Sequence, residues 1–355
     1  MKALKLAAAV LAVLASGVVF PTAACAEKYR ITWLLGHKNL DFFEEAAVSF
    51  KSAVEIGSHG DIRVDIVTKD EDKGADPARP GPEIAALVAK GEAEMGHSFT
   101  DVVGGVDPRF HVFEAPYLFR GYRHMEGVIE GPVGEGMLSA LRERGIVGLS
   151  FTYSGGASGV ATKSRAIRGP SDLKGMKVGV YGDRVNEAWL SALGATPVPI
   201  EHRLESILSL SRDGALDAVV TTWRNFDQAK LQKGFRYFGL PGSTYLVSVT
   251  YINQKFYEGL PEEYRVLIRD ASLKAARIER AKTIELNEDA KRQLLAKGVR
   301  SVALTEDGRD AFDAALRPAY EGPLSSILGK ELLEKIRSTA DGSVHPTLPT
   351  EYTAR

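Results

Sequence analysis

Cysteine is almost absent. Of 355 residues only Cys25 carries a thiol, so no intramolecular disulfide can form and stability must come from an ordinary packed core. Net charge is nearly absent too: 45 Lys and Arg stand against 46 Asp and Glu, with no basic block of the kind that marks a nucleic-acid footprint. Only one apolar run is long, Leu6 to Phe20. At roughly 15 residues it falls short of the about 20 that cross a bilayer, so the chain is not expected to span a membrane. Signatures of catalysis are missing as well. There is no Walker loop, no Gly-x-Gly-x-x-Gly, and no His-Glu-x-x-His among seven histidines, so neither a cofactor nor a metal site is expected. Gly96-His97-Ser98-Phe99-Thr100 begins like a nucleophile elbow but lacks the closing glycine, and Ser171 to Lys174 fits a turn better than a Ser-x-x-Lys catalytic pair.

The first residues carry an address. Lys2 and Lys5 precede the apolar run, and Ala24-Cys25-Ala26 offers small residues where a signal peptidase reads, so residues 1–26 are expected to be a signal peptide and the mature chain periplasmic. The alternative is a lipid anchor on Cys25, although Thr22 three positions upstream fits such a signal badly. The remaining length suggests two domains, because single cores stop growing at about 250–300 residues.

Strand and helix patterns alternate along it. Tyr29 to Leu35 predicts a strand with Ile31, Trp33 and Leu35 on one face, and Phe42 to Val54 carries apolar residues at helical spacing. Residues 62–67 alternate like a half-buried strand, and 68–81, rich in Asp, Gly and Pro, read as a surface loop. A helix at 82–91 and strands at 95–99 and 146–153 follow. A second cycle places strands at 176–181, 196–199, 218–221 and 245–252, with helices at 187–193 and 204–213. From Glu262 to about Ala296 neither Gly nor Pro occurs, which predicts a helix of roughly ten turns. Another helix begins near Leu324 and gives way to an irregular end with Pro346 and Pro349. Repeated β and α units imply an α/β fold with a largely parallel sheet, ligand chemistry falling at the strands' carboxyl ends.

Several segments resemble one family. Pro170-Ser171-Asp172-Leu173-Lys174-Gly175-Met176-Lys177-Val178-Gly179, the run Leu193 to Ile200, and Gly214 to Ala218 are similar to the ligand-binding half of the periplasmic solute receptors of TRAP transporters, the DctP family. Glu114-Ala115-Pro116-Tyr117-Leu118-Phe119 resembles that family's Pro-Phe-Leu-Phe signature, Gly91 to Ser98 the turn before it, and Leu260-Pro261-Glu262-Glu263 the start of its long helix. The matches keep their order over about residues 29–300. The resemblance implies a two-lobed periplasmic binding protein fold with a long helix spanning both lobes. Lobe I would cover 27–149, completed by about 241–275, and lobe II 150–240, completed by the helical region 276–355. It also implies a receptor that captures a small organic solute between the lobes and presents it to TRAP membrane permease subunits, without catalysis. An ABC-type or sensor-linked receptor and a periplasmic enzyme on a bilobal scaffold stand as the alternatives.

In the family, an arginine that clamps a substrate carboxylate usually stands where this chain has Gly179, and a second acid-binding arginine where it has Ser158. A family asparagine corresponds to the region of Thr221 and Thr222. A carboxylate taken from water needs charged donors, or several neutral ones, in compensation. The ligand is thus expected to be less anionic than the family's usual one, or to find its cation elsewhere. Arg224 is the candidate cation, with a solvated loop position as the alternative, and Trp223 beside it fits a cleft wall and a lobe core equally. His37 and Asp41 follow the first strand at the usual ligand-facing turn, where Asp41 also suits a helix N-terminus. His97, Ser98 and Tyr153, at or near strand ends, complete the candidate set. Asp183 and Arg184 fit pairing with solvent or with each other.

Overall fold

The computed structural model describes residues 27–35, 41–68, 82–181, 184–200 and 204–342, which build one mixed sheet with helices on its faces. In chain order the strands are β1 (Tyr29–Leu35), β2 (Ile62–Thr68), β3 (Met95–Phe99), β4 (Ile146–Thr162), β5 (Lys177–Tyr181), β6 (Thr196–Ile200), β7 (Ala218–Thr222), β8 (Tyr237–Asn253) and β9 (Arg300–Val302). Across the sheet they run β2-β1-β3-β8-β4-β7-β5-β6, with β9 on β8. Toward each end, β–α repeats give parallel pairs, β1 with β2 and β3, and β5 with β6 and β7. The middle departs from the largely parallel sheet that β–α alternation predicts, because β3–β8, β8–β4 and β4–β7 are antiparallel. The chain leaves one half of the sheet along β4 and returns along β8. These two strands, of 17 residues each, lie side by side and join the lobes.

The sequence pattern predicts only the first half of β4 and the second half of β8, and the halves it leaves out contain Gly155-Gly156 and Pro241-Gly242. The structure carries both strands through these breakers by bending them. β4 slips register against β8 between Thr152 and Gly156, and Gly156 takes φ +66°. Backbone groups pushed out of a ladder must find other partners. Glu279 Oε2 accepts the Tyr153 N–H at 2.6 Å, Asn287 Nδ2 donates to Gly155 O at 2.8 Å, and Arg280 Nη1 donates to Phe151 O at 2.9 Å. Tyr122 Oη takes the Ala157 N–H at 2.8 Å. Gly156→Ala is expected to cost about 2 kcal/mol, because an L-residue in left-handed backbone costs about 1–2 kcal/mol and the new methyl would also crowd that hydroxyl. Its Cβ would stand 2.5 Å from Tyr122 Oη. Urea unfolding checks this, and a loss below about 0.5 kcal/mol would mean that the bend relaxes freely.

Glu279, Arg280 and Asn287 all belong to one helix, Glu262–Ala296, of 35 residues. Its buried positions recur every three or four residues from Ile268 to Leu294, the stripe expected of a helix lying on a core. Ile268, Ala271 and Ala275 pack with the β1 side chains and the helix Asp41–Gly57, whereas Ala290 and Leu294 pack with Trp223 and Phe226 of the helix Trp223–Gln228. One rigid element thus belongs to both lobes. The helix Glu306–Glu321 escapes the sequence pattern because Gly308 and Pro318 interrupt it. Thr305 caps its start, its Oγ1 accepting the Gly308 N–H at 3.1 Å, and Phe312, Leu316 and Ala319 form its buried side.

Candidate functional site

β4 and β7 bring Ser158 opposite Thr222 and Gly159 opposite Thr221. Around them closes a cavity of about 10 Å³, room for about one water, lined among others by Glu114, Ser158, Tyr181, Asn186, Thr221 and Asn225. None of the described residues that line it is Arg or Lys. Among its described lining residues the one carboxylate, on Glu114, is only 7% exposed and accepts a 2.9 Å hydrogen bond from Asn186 Nδ2. Trp189 Nε1 in turn donates to Asn186 Oδ1 at 2.9 Å, which fixes the direction of that amide. Burial first, then the Asp101 and Glu114 carboxylates, push the Tyr181 hydroxyl above its ordinary value, so it remains a neutral donor. Thr222 Oγ1 accepts the Asn225 N–H at 3.1 Å and so starts the short helix that carries Asn225. The described lining residues offer neutral donors and one acid.

Gly179 lies in the middle of β5, and a Cβ there would meet both Leu216 methyl carbons at 3.2 Å and Val219 at 3.4 Å. An arginine at this position would have to displace Leu216. Apolar packing by Leu216 and Val219 thus fills the space that a longer side chain at Gly179 would need.

A second cavity, of about 460 Å³, is lined by Trp223, Phe238, Tyr245, Ala157, Arg123 and Lys291 among others. Ala157 and Tyr245 pair across β4 and β8 and face this cavity, while their chain neighbours Ser158 and Leu246 face the smaller one. Successive strand residues point to opposite faces. The two cavities therefore stand back to back across the bent strand pair.

The residues singled out from sequence fall into three groups. Ser158 and Thr221 line the small cavity, and Trp223 lines the large one, where it stacks on Phe238 with ring centroids 3.9 Å apart. His97, Ser98 and Tyr153 are buried within the sheet and line neither cavity. His97 Nε2 is 2.8 Å from Thr152 Oγ1, Ser98 Oγ 2.6 Å from Tyr251 Oη, and Tyr153 Oη donates to Glu126 Oε1 at 2.8 Å. Arg224 sits in the first turn of the helix Trp223–Gln228, its backbone N–H donating to Asn287 Oδ1 at 3.1 Å, and it lines neither cavity. His37 and Asp183 lie outside the described residues, and Asp41 opens the first helix. Glu114, Asn186 and Asn225 were not singled out. Glu114 opens the quoted Glu-Ala-Pro-Tyr-Leu-Phe segment, and an acid there, ahead of a run of apolar residues, is the one local signal of its burial. Among the described residues no cluster of three or more His, Cys, Asp or Glu is placed to hold a metal ion, and no helix is long and apolar enough to cross a membrane.

Residues 36–325 match the family described as bacterial extracellular solute-binding protein, family 7, or DctP. The chain belongs to the DctP family. A solute-binding protein of Verminephrobacter eiseniae is 25% identical over 256 residues, 72% of this chain and 75% of that protein. The C4-dicarboxylate-binding periplasmic protein DctP of Rhodobacter capsulatus is 25% identical over 230 residues, 64% of this chain and 68% of its own length. Among solved structures, the sugar acid binding protein of Advenella mimigardefordensis in complex with galactonate superimposes with a TM-score of 0.75 at 21% identity, covering 88% of this chain and 98% of that one. A TRAP periplasmic solute-binding protein of Ochrobactrum anthropi reaches 0.78 at 20% identity, covering 87% and 94%. At such identities the likeness fixes the fold: this DctP-family chain has the two-lobed receptor architecture, with the long helix as its spanning element. The relatives named are solute-binding proteins rather than enzymes.

Proposed function

We propose that this DctP-family chain is the periplasmic receptor of a TRAP-type secondary transporter. It is exported by its N-terminal signal, takes a small organic solute between its two lobes, and delivers it to the membrane permease subunits. Lobe I over 27–149 and lobe II over 150–240, each completed by the later segments, close about the bent β4–β8 pair. The solute touches both lobes only when they are closed, so its binding energy shifts the open-to-closed equilibrium.

The solute carries less negative charge than those named for the relatives, which include C4-dicarboxylates and galactonate. One observation carries this reading: the cavity at Ser158 and Thr221 holds a buried carboxylate, Glu114, and no Arg or Lys among its described lining residues. Glu114 would repel an incoming acid and attract a hydroxyl or an ammonium. Neutral polar, zwitterionic or cationic solutes fit that lining.

A charge-assisted hydrogen bond contributes about 1.5–3 kcal/mol and about 1.4 kcal/mol is a tenfold change in affinity. Without two arginines a simple dicarboxylate is expected to lose about two to four decades. Succinate, malate and fumarate at about 1 mM should then leave the melting temperature unchanged, since ligand stabilisation vanishes when Kd far exceeds the dose. Micromolar binding of any of the three in calorimetry would overturn the specificity reading, and chemical conversion of a bound solute would overturn the receptor reading.

A further inference from the structure

We infer that the larger cavity, behind the bent strand pair, is a second small-molecule site whose ligand is an organic anion with a flat apolar ring. Its volume of about 460 Å³ lies in the range of about 300–1,000 Å³ usual for ligand sites. One wall is aromatic: Trp223 stacks on Phe238 at 21° between ring planes, and Tyr245 stands nearby. A flat ring can lie against such a wall.

The rest of the lining is cationic. Arg120, Arg123, Lys291 and Arg309 line the cavity against two acids, Asp313 and Asp341. Arg120 is already engaged, donating to Arg337 O, Thr339 O and Asp341 Oδ1, and Lys291 stands 3.5 Å from Glu288. Arg123 differs. Its Nε is buried without a hydrogen-bond partner, and no ion pair with a described residue engages the guanidinium. A buried N–H left unpaired is costly, and a ligand oxygen placed against it recovers that cost while gaining a charge-assisted bond. An aromatic carboxylate satisfies both walls at once.

The inference stands apart from the solute site, which lies on the other face of β4 and β8. The full chain is titrated with benzoate and phenylacetate, and with benzamide and phenylacetamide, by calorimetry and tryptophan fluorescence. At least one carboxylate is expected to bind at least tenfold tighter than its amide. Arg123→Gln should weaken it at least tenfold with an unchanged melting temperature. Of the three tryptophans, Trp33 and Trp189 are 1% exposed in the core, and Trp189 hydrogen-bonds Asn186 of the smaller cavity. The fluorescence response should therefore vanish in Trp223→Phe and persist in Trp189→Phe. Absence of any carboxylate preference, full affinity in Arg123→Gln, or a response that follows Trp189 would each overturn the assignment. The last result would move the anion to the solute site and leave the second site without support.

Discussion

Replacing Arg280 by alanine is expected to cost about 3–5 kcal/mol, the loss seen when one partner of a buried ion pair is removed and its counter-charges stay behind. For a chain of this size that lowers the melting temperature by on the order of 10 °C. Arg280 is 2% exposed. Its Nη2 pairs with Glu126 at 3.0 Å and with Glu130, while Nη1 holds Phe151 O of β4. Burial works against the charge on Glu130, yet the Arg277 and Arg280 guanidiniums together outweigh it and hold that carboxyl below its usual range. Alanine would leave Glu126 charged beside the Tyr153 hydroxyl and would free a β4 carbonyl at the bend. Arg277→Ala is the control. Arg277 also pairs with Glu130, but its side chain is 42% exposed, and exposed pairs contribute about 0–1 kcal/mol. Equal losses in the two variants would show that the inner pair is as solvated as the outer one, and that the long helix is held to β4 by its hydrogen bonds and packing without help from the ion pair.

Local patterns made much of this frame legible. β1 is visible in the alternation of Ile31, Trp33 and Leu35, and the long helix in the absence of Gly and Pro after Pro261, because in both cases one short-range period decides the structure. The bend in β4 was not legible. No local spacing around Gly155-Gly156 shows that a distant helix supplies Glu279 and Asn287 as partners for the backbone groups that the ladder releases. The antiparallel centre escaped for a related reason, since strand direction depends on which half of the sheet the chain returns to. The site divides in the same way. Ser158 and Thr221 came from ordered family segments, whereas Glu114, Asn186 and Asn225 approach them from three separate elements with no shared spacing. His97, Ser98 and Tyr153 satisfied the strand-end rule, but His97 Nε2, Ser98 Oγ and Tyr153 Oη bond to Thr152, Tyr251 and Glu126 and the three residues line neither cavity.

The long helix also carries a group whose charge opposes folding. Glu279 is fully buried, and burial raises its pKa from 4.5 to about 7, against the hydrogen bonds from the Tyr153 N–H and Thr283 Oγ1 and the nearby Arg280 charge. Glu126 adds to the upward shift. A carboxyl whose folded pKa is raised holds its proton more tightly when folded. Its contribution is therefore fully present below the unfolded value near 4.5 and is lost as pH rises to about 7. Across that window the wild-type chain should lose on the order of 2–3 kcal/mol from this group. Glutamine copies the neutral form: its carbonyl can accept the Tyr153 N–H, and its amide can donate to Thr283. Glu279→Gln is accordingly expected to unfold at higher temperature than wild type at pH 8 and at nearly the same temperature at pH 4.5. The difference should grow with pH between those limits and stay flat above about 8. Melting curves at half-unit steps of pH measure it directly. A variant that is less stable than wild type at pH 8 would mean that the carboxylate is held charged at the bend, with Arg280 as its counter-ion, and that the strand is fastened there by an ion pair instead of a neutral acid.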